Sequence, residues 1–318
     1  MLLAAAACWL ATSASADEGG VPFWFSGQYA SMAAVPPTPG WTLTAMPYYY
    51  NGRADKSQTF QKGGTLVSGV DSHMGLVLGQ LSYAWDTPLL GGVPMLGISW
   101  GAGNNGTSAS LLATLPSAGA QASMSDSVTG GTDLYPIATL SWNKGDNNWM
   151  VYLTGDIPVG AYDPKRLSNI GIGHGAVDSG AAYTYLNQKS GLEFSAVVGL
   201  TYNLRNSQTD YRNGIDSHLD WAASQFLSAN WQVGLAGYVY YQLTDDSYPT
   251  TGALGAIRQQ ELGGFKSRVA SVGPEVGYLF KMGQQTAYLN VRGYWEFWAQ
   301  NRLEGYALFM TLNLPFGP

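Results

Sequence analysis

The sequence predicts an all-β fold: a closed antiparallel transmembrane β-barrel of about 12 strands, with short periplasmic turns and longer extracellular loops. Three observations point there. From Tyr306 the residues Tyr306, Leu308, Met310, Leu312, Leu314 and Phe316 alternate strictly with Gly305, Ala307, Phe309, Thr311 and Asn313. One face is oily and the other small or polar apart from Phe309, which suits a wall between lipid and a wet interior. Only 11% of residues are charged, yet beyond the N-terminus no apolar run approaches the roughly 18 residues of a membrane helix. Finally, 41 glycines, 20 tyrosines and 11 tryptophans suit strands that curve at glycine and aromatics that gather at membrane interfaces.

Residues 1–16 read as a secretory signal peptide. Leu2–Ala11 is apolar but too short to span a bilayer, and Ala14-Ser15-Ala16 forms a small-residue cleavage site before Asp17. No Lys or Arg precedes the apolar run, a departure that points to a translation start upstream of Met1. Cys8 is the only cysteine and would serve a lipoprotein signal in the alternative reading. Cleavage after Ala16 removes it, and with it disulfides, thiol nucleophiles and thiolate metal sites.

Residues 17–40 carry Phe23-Trp24-Phe25 and, among their prolines, Pro36, Pro37 and Pro39, with too little alternation for a barrel strand. They are expected to fold into the lumen or across the periplasmic mouth as a small plug, the alternative being a frayed tail. The barrel then occupies 41–318. Its strands are expected at 41–51, 71–86, 92–102, 133–144, 147–158, 178–188, 192–205, 215–228, 230–244, 267–281, 285–299 and 303–316, the third and sixth alternating least regularly. With both termini in the periplasm, even-to-odd connections should be short and odd-to-even ones free to be long. The short ones fall at 86–91, 144–147, 188–191, 227–230 and 282–284; the long ones at 52–70, 103–132, 159–177, 206–214 and 245–266, with 300–302 brief. Trp142, Trp149 and Trp231 beside short turns mark a periplasmic aromatic girdle, the alternative being hairpin tips with a packed Trp.

Parity assigns faces. In 192–205, Leu192, Phe194, Ala196, Val198, Leu200 and Tyr202 face lipid, which places Glu193, Asn203 and Arg205 in the lumen. In 215–228 the inward set is Asp216, His218, Asp220 and Ser224. In 230–244, Trp231, Val233, Leu235, Val239, Tyr241 and Leu243 face out, leaving Gln232, Tyr238, Tyr240 and Gln242 inside. In 285–299, Ala287, Leu289, Val291, Trp295 and Phe297 face out and Asn290, Arg292, Tyr294 and Glu296 face in. A charge on the lipid side costs ~2–4 kcal/mol near the midplane, so inward charges support this register. Asp156, Arg205, Asp216, His218, Glu296 and Arg302 lie towards the extracellular side as a candidate charged mouth; the alternative is a structural salt-bridge lattice.

Enzymatic motifs are sparse. There is no phosphate loop and no paired-Cys or His-rich metal spacing. Gly97-Ile98-Ser99-Trp100-Gly101 matches a nucleophile elbow, but it runs along an expected strand with no helical pattern after it. A barrel hydrolase needs Ser and His within hydrogen-bond reach, and neither residue two positions from His73, His174 or His218 is a serine; a cross-strand pair stays open. His218 between Asp216 and Asp220 is the nearest acid–base constellation, with backbone positions about 7 Å apart on one strand face. Its default reading is a pore-mouth polar cluster. The net charge of −6 argues against a nucleic-acid partner.

Several stretches resemble one family: Thr209-Asp210-Tyr211-Arg212-Asn213-Gly214, Trp295 to Gly305, the ending Leu312-Asn313-Leu314-Pro315-Phe316, and Gly27-Gln28-Tyr29-Ala30-Ser31 with Ala34-Val35-Pro36. They are similar to outer-membrane proteins described as involved in the meta-pathway of phenol degradation, including the sphingosine-induced SphA-like members. The resemblance implies a channel that admits hydrophobic or aromatic carbon sources to Gram-negative cells, without supplying catalytic residues. The expected function is passive uptake of small hydrophobic, aromatic or amphiphilic compounds through the outer membrane, with no cofactor. The alternatives are an outer-membrane lipid hydrolase and a closed structural or surface-recognition barrel. Expected partners are outer-membrane lipids, the barrel assembly machinery and the solute. Tyr238, Tyr240 and Tyr294 are candidate stacking surfaces, and Arg292 with Glu296 candidates to orient a polar head.

Overall fold

A computed structural model describes residues 22–55, 59–62, 65–111, 122–251 and 266–316, and no helix occurs among them. The expected signal peptide, Cys8 and residues 17–21 lie outside the described residues. The strands are β1 (Gly40–Arg53), β2 (Thr59–Lys62), β3 (Thr65–Ala84), β4 (Val93–Leu111), β5 (Ala122–Gly131), β6 (Tyr135–Lys144) and β7 (Asn147–Asp156). They continue with β8 (Ala176–Leu186), β9 (Leu192–Asn203), β10 (Ile215–Phe226), β11 (Trp231–Gln242), β12 (Arg268–Met282), β13 (Gln285–Gln300) and β14 (Glu304–Phe316).

Twelve of these close a ring. β1, β3, β4 and β6 to β14 each pair antiparallel with two neighbours, and β14 returns to β1 from Trp41↔Phe316 to Arg53↔Glu304. Closure removes the unpaired edges that an open sheet would offer to lipid. The ring strands match the expected segments, and two-residue turns at Gly145–Asp146 and Gly283–Gln284 mark one end as the short-turn end.

Two connections expected as loops are partly strand. β3 begins at Thr65 and β4 runs on to Leu111, while β2 and β5 pair with these extensions at Thr59↔Ser68 and Ala102↔Gly131. The extensions are rich in Ser, Thr, Asn and Gly on both faces, so the oily alternation that betrays a lipid-facing strand is absent. The backbone ladder needs no such alternation once the strand rises into water.

The outer wall is apolar: Leu235, Val291, Trp295 and Leu308 are 52%, 46%, 61% and 51% exposed, while the residues beside them point in and are buried. At the short-turn end Trp41 packs on Tyr83 with ring centres 5.0 Å apart, Trp231 on Tyr278 at 4.6 Å and Trp149 on Tyr183 at 6.0 Å. At the other end Tyr49, Tyr202, Tyr241, Trp295 and Tyr306 are exposed. From Tyr306 to Phe316 a strand climbs about 33 Å along its own axis, or about 25 Å after a tilt near 40°, the height of an outer-membrane apolar band. Trp298 breaks the alternation. Its φ of 61° and a register shift opposite, between Arg268 and Ala270, turn it outward beside Phe297.

Candidate functional site

Residues 22–39 run inside the ring, tied to inward side chains of β8, β9, β10, β12 and β13. The turn at Gly27 is gripped from two sides. Its N–H donates to Asp220 Oδ1 at 2.9 Å, and its carbonyl accepts from Arg292 Nε and from the Tyr294 hydroxyl, both at 3.0 Å. Arg292 also donates to the Gln28 carbonyl at 2.7 Å, and Tyr29 N–H reaches Asp220 Oδ2 at 3.3 Å. Glycine is required at position 27, because φ is +82° and a Cβ would lie 2.6 Å from the Tyr294 ring. Further along, Ser31 Oγ contacts Glu193 Oε2 at 2.7 Å and Glu275 Oε1, and the N–H groups of Met32 and Ala34 donate to Glu193 and Thr184, both at 2.9 Å.

His218 does not close the in-strand triplet with Asp216 and Asp220. Its Nε2 lies 3.1 Å from Asp178 Oδ2 on β8, and the Tyr152 hydroxyl donates to Asp178 Oδ1 at 2.8 Å. Backbone positions two apart on a strand stand about 7 Å apart, and His218 instead meets a residue two strands away across a glycine. Gly199 of β9 provides that gap, since a Cβ there would sit 2.0 Å from the Tyr152 hydroxyl and 2.7 Å from His218 Nε2. The indole of Trp24 covers the imidazole, with ring centres 3.6 Å apart at 14°.

The other expected site residues divide. Glu296 accepts from the Tyr238 hydroxyl at 2.7 Å, the Tyr50 hydroxyl at 2.8 Å and Gly305 N–H at 2.8 Å. The Arg302 guanidinium stands 4.5 Å over the buried Tyr240 ring, and Asp216 accepts from Asn203 Nδ2 at 2.8 Å. Asp156 is buried at the end of β7, with neither carboxylate oxygen hydrogen-bonded among the described residues. Arg205 departs from the inward position that parity predicts. β9 ends at Asn203, so parity no longer governs Arg205, which is exposed and pairs with Asp210 at 2.9 Å. Arg292 and Glu296 do not form a shared grip on a solute, because Arg292 holds the inner segment and Glu296 holds two tyrosines. Ser99 lies within β4 and donates to Gln80 at 3.2 Å, and the strand continues to Leu111, so no elbow turn forms.

Sequence reasoning missed Asp178, Glu275 and Ser31. Asp178 shares its parity with the inward Thr184, a signal present in the sequence. Glu275 was masked by Gly273 and Gly277 on its own face. Ser31 stands in the family-like stretch Gly27–Ser31, but its role comes from residues more than 160 positions away. Among the described residues no group of three or more His, Cys, Asp or Glu is arranged to hold a metal ion.

Among the described residues, cavities of about 50 Å³ lie on two sides of the inner segment. One is lined by Tyr48, Tyr50, Met74, Tyr238, Glu296 and Arg302, the other by Met46, Leu78, Gln80, Tyr135, Ile137 and Thr154. Trp24 and Phe25 line both. Phe25 stands edge-on to Tyr48 at 5.7 Å and to Tyr135 at 6.2 Å, so it separates the two spaces. Outside the membrane, Arg166 grips Asp126 of β5 through two hydrogen bonds, at 2.6 and 3.1 Å, and draws the connection after β7 across β5. That guanidinium holds the Asp126 carboxyl below the usual carboxylate range.

A family model described as "Putative MetA-pathway of phenol degradation" matches residues 55–312. Among solved structures the chain is similar to an outer membrane channel from Pseudomonas putida F1, with a TM-score of 0.66 and 13% identity over 88% of this chain and 97% of that one. That likeness shows the fold of an outer-membrane barrel. The chain is also similar to the β domain of the Bordetella autotransporter BrkA, with a TM-score of 0.47 and 12% identity over 87% of this chain and 100% of that one. A FadL homologue from Pseudomonas aeruginosa gives 0.38 and 11% over 87% and 90%. Comparison with curated proteins gives no match.

Proposed function

Since the chain belongs to the MetA-pathway of phenol degradation family, we propose that this outer-membrane barrel is a channel for passive uptake of small hydrophobic, aromatic or amphiphilic molecules. The observation that carries the reading is the lumen: a hydrogen-bonded inner segment flanked by two cavities walled largely by aromatic and aliphatic side chains. Such walls suit a planar apolar solute, and the nearby Glu296 and Arg302 offer polar contacts at one end. Each cavity, at about 50 Å³, is far smaller than the ~300 Å³ or more of a small-molecule pocket. Passage therefore requires residues 22–39 to move, which makes that segment the plug of the channel. Its grip on the wall is made of side-chain hydrogen bonds and ring contacts rather than ring-closing backbone pairs, so it can leave without dismantling the ring.

The filled lumen favours one second reading, a closed structural or surface-recognition barrel. Planar-bilayer recordings of the wild type and a variant lacking residues 22–35 separate the two. The channel reading expects frequent opening once the segment is gone, and faster uptake of labelled phenols, alkylbenzenes, fatty acids or sphingosine by cells carrying the gene than by a deletion strain. A barrel that stays silent without the segment, in cells showing no uptake difference, overturns it.

A further inference from the structure

On the outer wall, level with the extracellular aromatic belt, two guanidinium groups rest on exposed rings without a carboxylate partner among the described residues. Arg212 lies half-buried with its guanidinium 5.8 Å from the centre of the Tyr202 ring, and it donates to the Tyr202 hydroxyl at 3.2 Å. Arg268, the first residue of β12, stands 4.4 Å from the centre of the Trp298 ring. Its Nε is buried and makes no hydrogen bond among the described residues. The left-handed φ of 61° at Trp298 is a strained conformation for a bulky aromatic, and it is what swings the ring out under Arg268.

Strand pairing sets the two close together. Tyr202 lies opposite Ile215, Ser217 opposite Tyr241, and Tyr241 opposite Arg268. The arginines therefore bracket a stretch of wall three strand spacings wide, about 15 Å. Lys266 adds an exposed cation two residues before Arg268. Among the neighbouring carboxylates, Asp210 pairs with Arg205, Asp246 accepts from Gly214 N–H and Gln242, and Glu304 accepts from Ala299 N–H.

Cations anchored at the depth where acyl chains meet headgroups call for an anionic headgroup. Only one leaflet adjoins this end of the barrel, and in a Gram-negative outer membrane it is lipopolysaccharide, whose lipid A carries phosphates at that depth. We infer that Arg212, Arg268 and Lys266 form a binding rim for lipid A phosphates, with Tyr202, Tyr241 and Trp298 against the acyl chains. Arg suits the task because its planar fork pairs with phosphate while its face stays on the ring. This rim lies on the outside of the wall and does not rest on the channel reading.

The test titrates detergent-purified wild type and the R212Q/R268Q variant with lipid A, dephosphorylated lipid A and inorganic phosphate, counting bound lipid by native mass spectrometry. Wild type should retain lipid A, and the double variant should bind it roughly tenfold or more weakly, at about 1 kcal/mol for each cation near a charged headgroup. Dephosphorylated lipid A should bind wild type as weakly as lipid A binds the variant. Equal affinity of the two proteins for lipid A, equal affinity of wild type for the two lipids, or full competition by inorganic phosphate each overturns the assignment. Heat-modifiable gel mobility verifies folding. If the glutamine variant fails to fold, the two-lipid comparison on wild type decides.

Discussion

Arg292 spends its hydrogen bonds on two different structures. Through Nε and one Nη it holds the Gly27 and Gln28 carbonyls, and through the other Nη it reaches Asn290 and Thr311 in the wall at 2.9 and 3.0 Å. Parity alone placed this side chain inward, but a period-two pattern cannot say what an inward group meets. The Arg292→Ala variant should loosen the inner segment without unfolding the ring, because no ring-closing backbone pair involves the guanidinium. Bonds from a charged donor contribute ~1.5–3 kcal/mol each, so losing two shifts the in–out balance of the segment roughly a hundredfold or more. Single-channel open probability should rise while heat-modifiable mobility stays that of wild type; unchanged conductance would show that Arg292 does not hold the segment in place. Gly27 makes the same point from the inner segment. A glycine in a turn is visible in sequence, yet the need for it comes from the Tyr294 ring contributed by the far end of the chain.

At the scale of elements, the twelve ring strands and their alternating connections were readable because lipid on one side and water on the other impose period two on each crossing segment. The extensions of β3 and β4, together with β2 and β5, were not, since water bathes both of their faces and erases that rhythm. Their anchoring is polar. Asp126 of β5 accepts from Arg166, and its second oxygen also accepts from Ser168 N–H at 3.2 Å. Arg166 lowers the carboxyl's affinity for protons, so this anchoring is fully present above the ordinary carboxylate range and is lost as pH falls below about 4. Hydrogen exchange, corrected for intrinsic rates, should show amides of residues 157–175 losing protection between pH 6 and pH 3, whereas Asp126→Asn should show low protection at both. High salt should weaken the link in the same direction, as expected for an exposed pair.

The whole molecule is a cylinder turned inside out relative to a soluble protein: its large apolar side chains face outward, and its buried layer carries Glu193, Asp220, Glu275, Arg292 and Glu296. Stability therefore responds to polarity by face. Leu235 lies midway between the two aromatic belts on β11 and points to lipid. Leu235→Arg should cost ~2–4 kcal/mol at the bilayer midplane, measured by denaturant titration in lipid vesicles. Ser271→Ala, which on the inner face removes a buried hydroxyl that has no hydrogen bond among the described residues, should leave the titration midpoint nearly in place. Equal costs on both faces would contradict the assignment of lipid and lumen.

By itself the sequence determined the barrel, its number of ring strands, which end carries the short turns and, within β9, β10, β11 and β13, which side chains face in, because one chemical asymmetry repeats every two residues across each crossing. Only the tertiary structure decided the partners. Trp24 on His218, Ser31 between Glu193 and Glu275, and Arg268 on Trp298 are meetings of residues distant in sequence or displaced by a bulge. A closed ring brings such residues together through its curvature and register, quantities that belong to all the strands at once and are written in no single one of them.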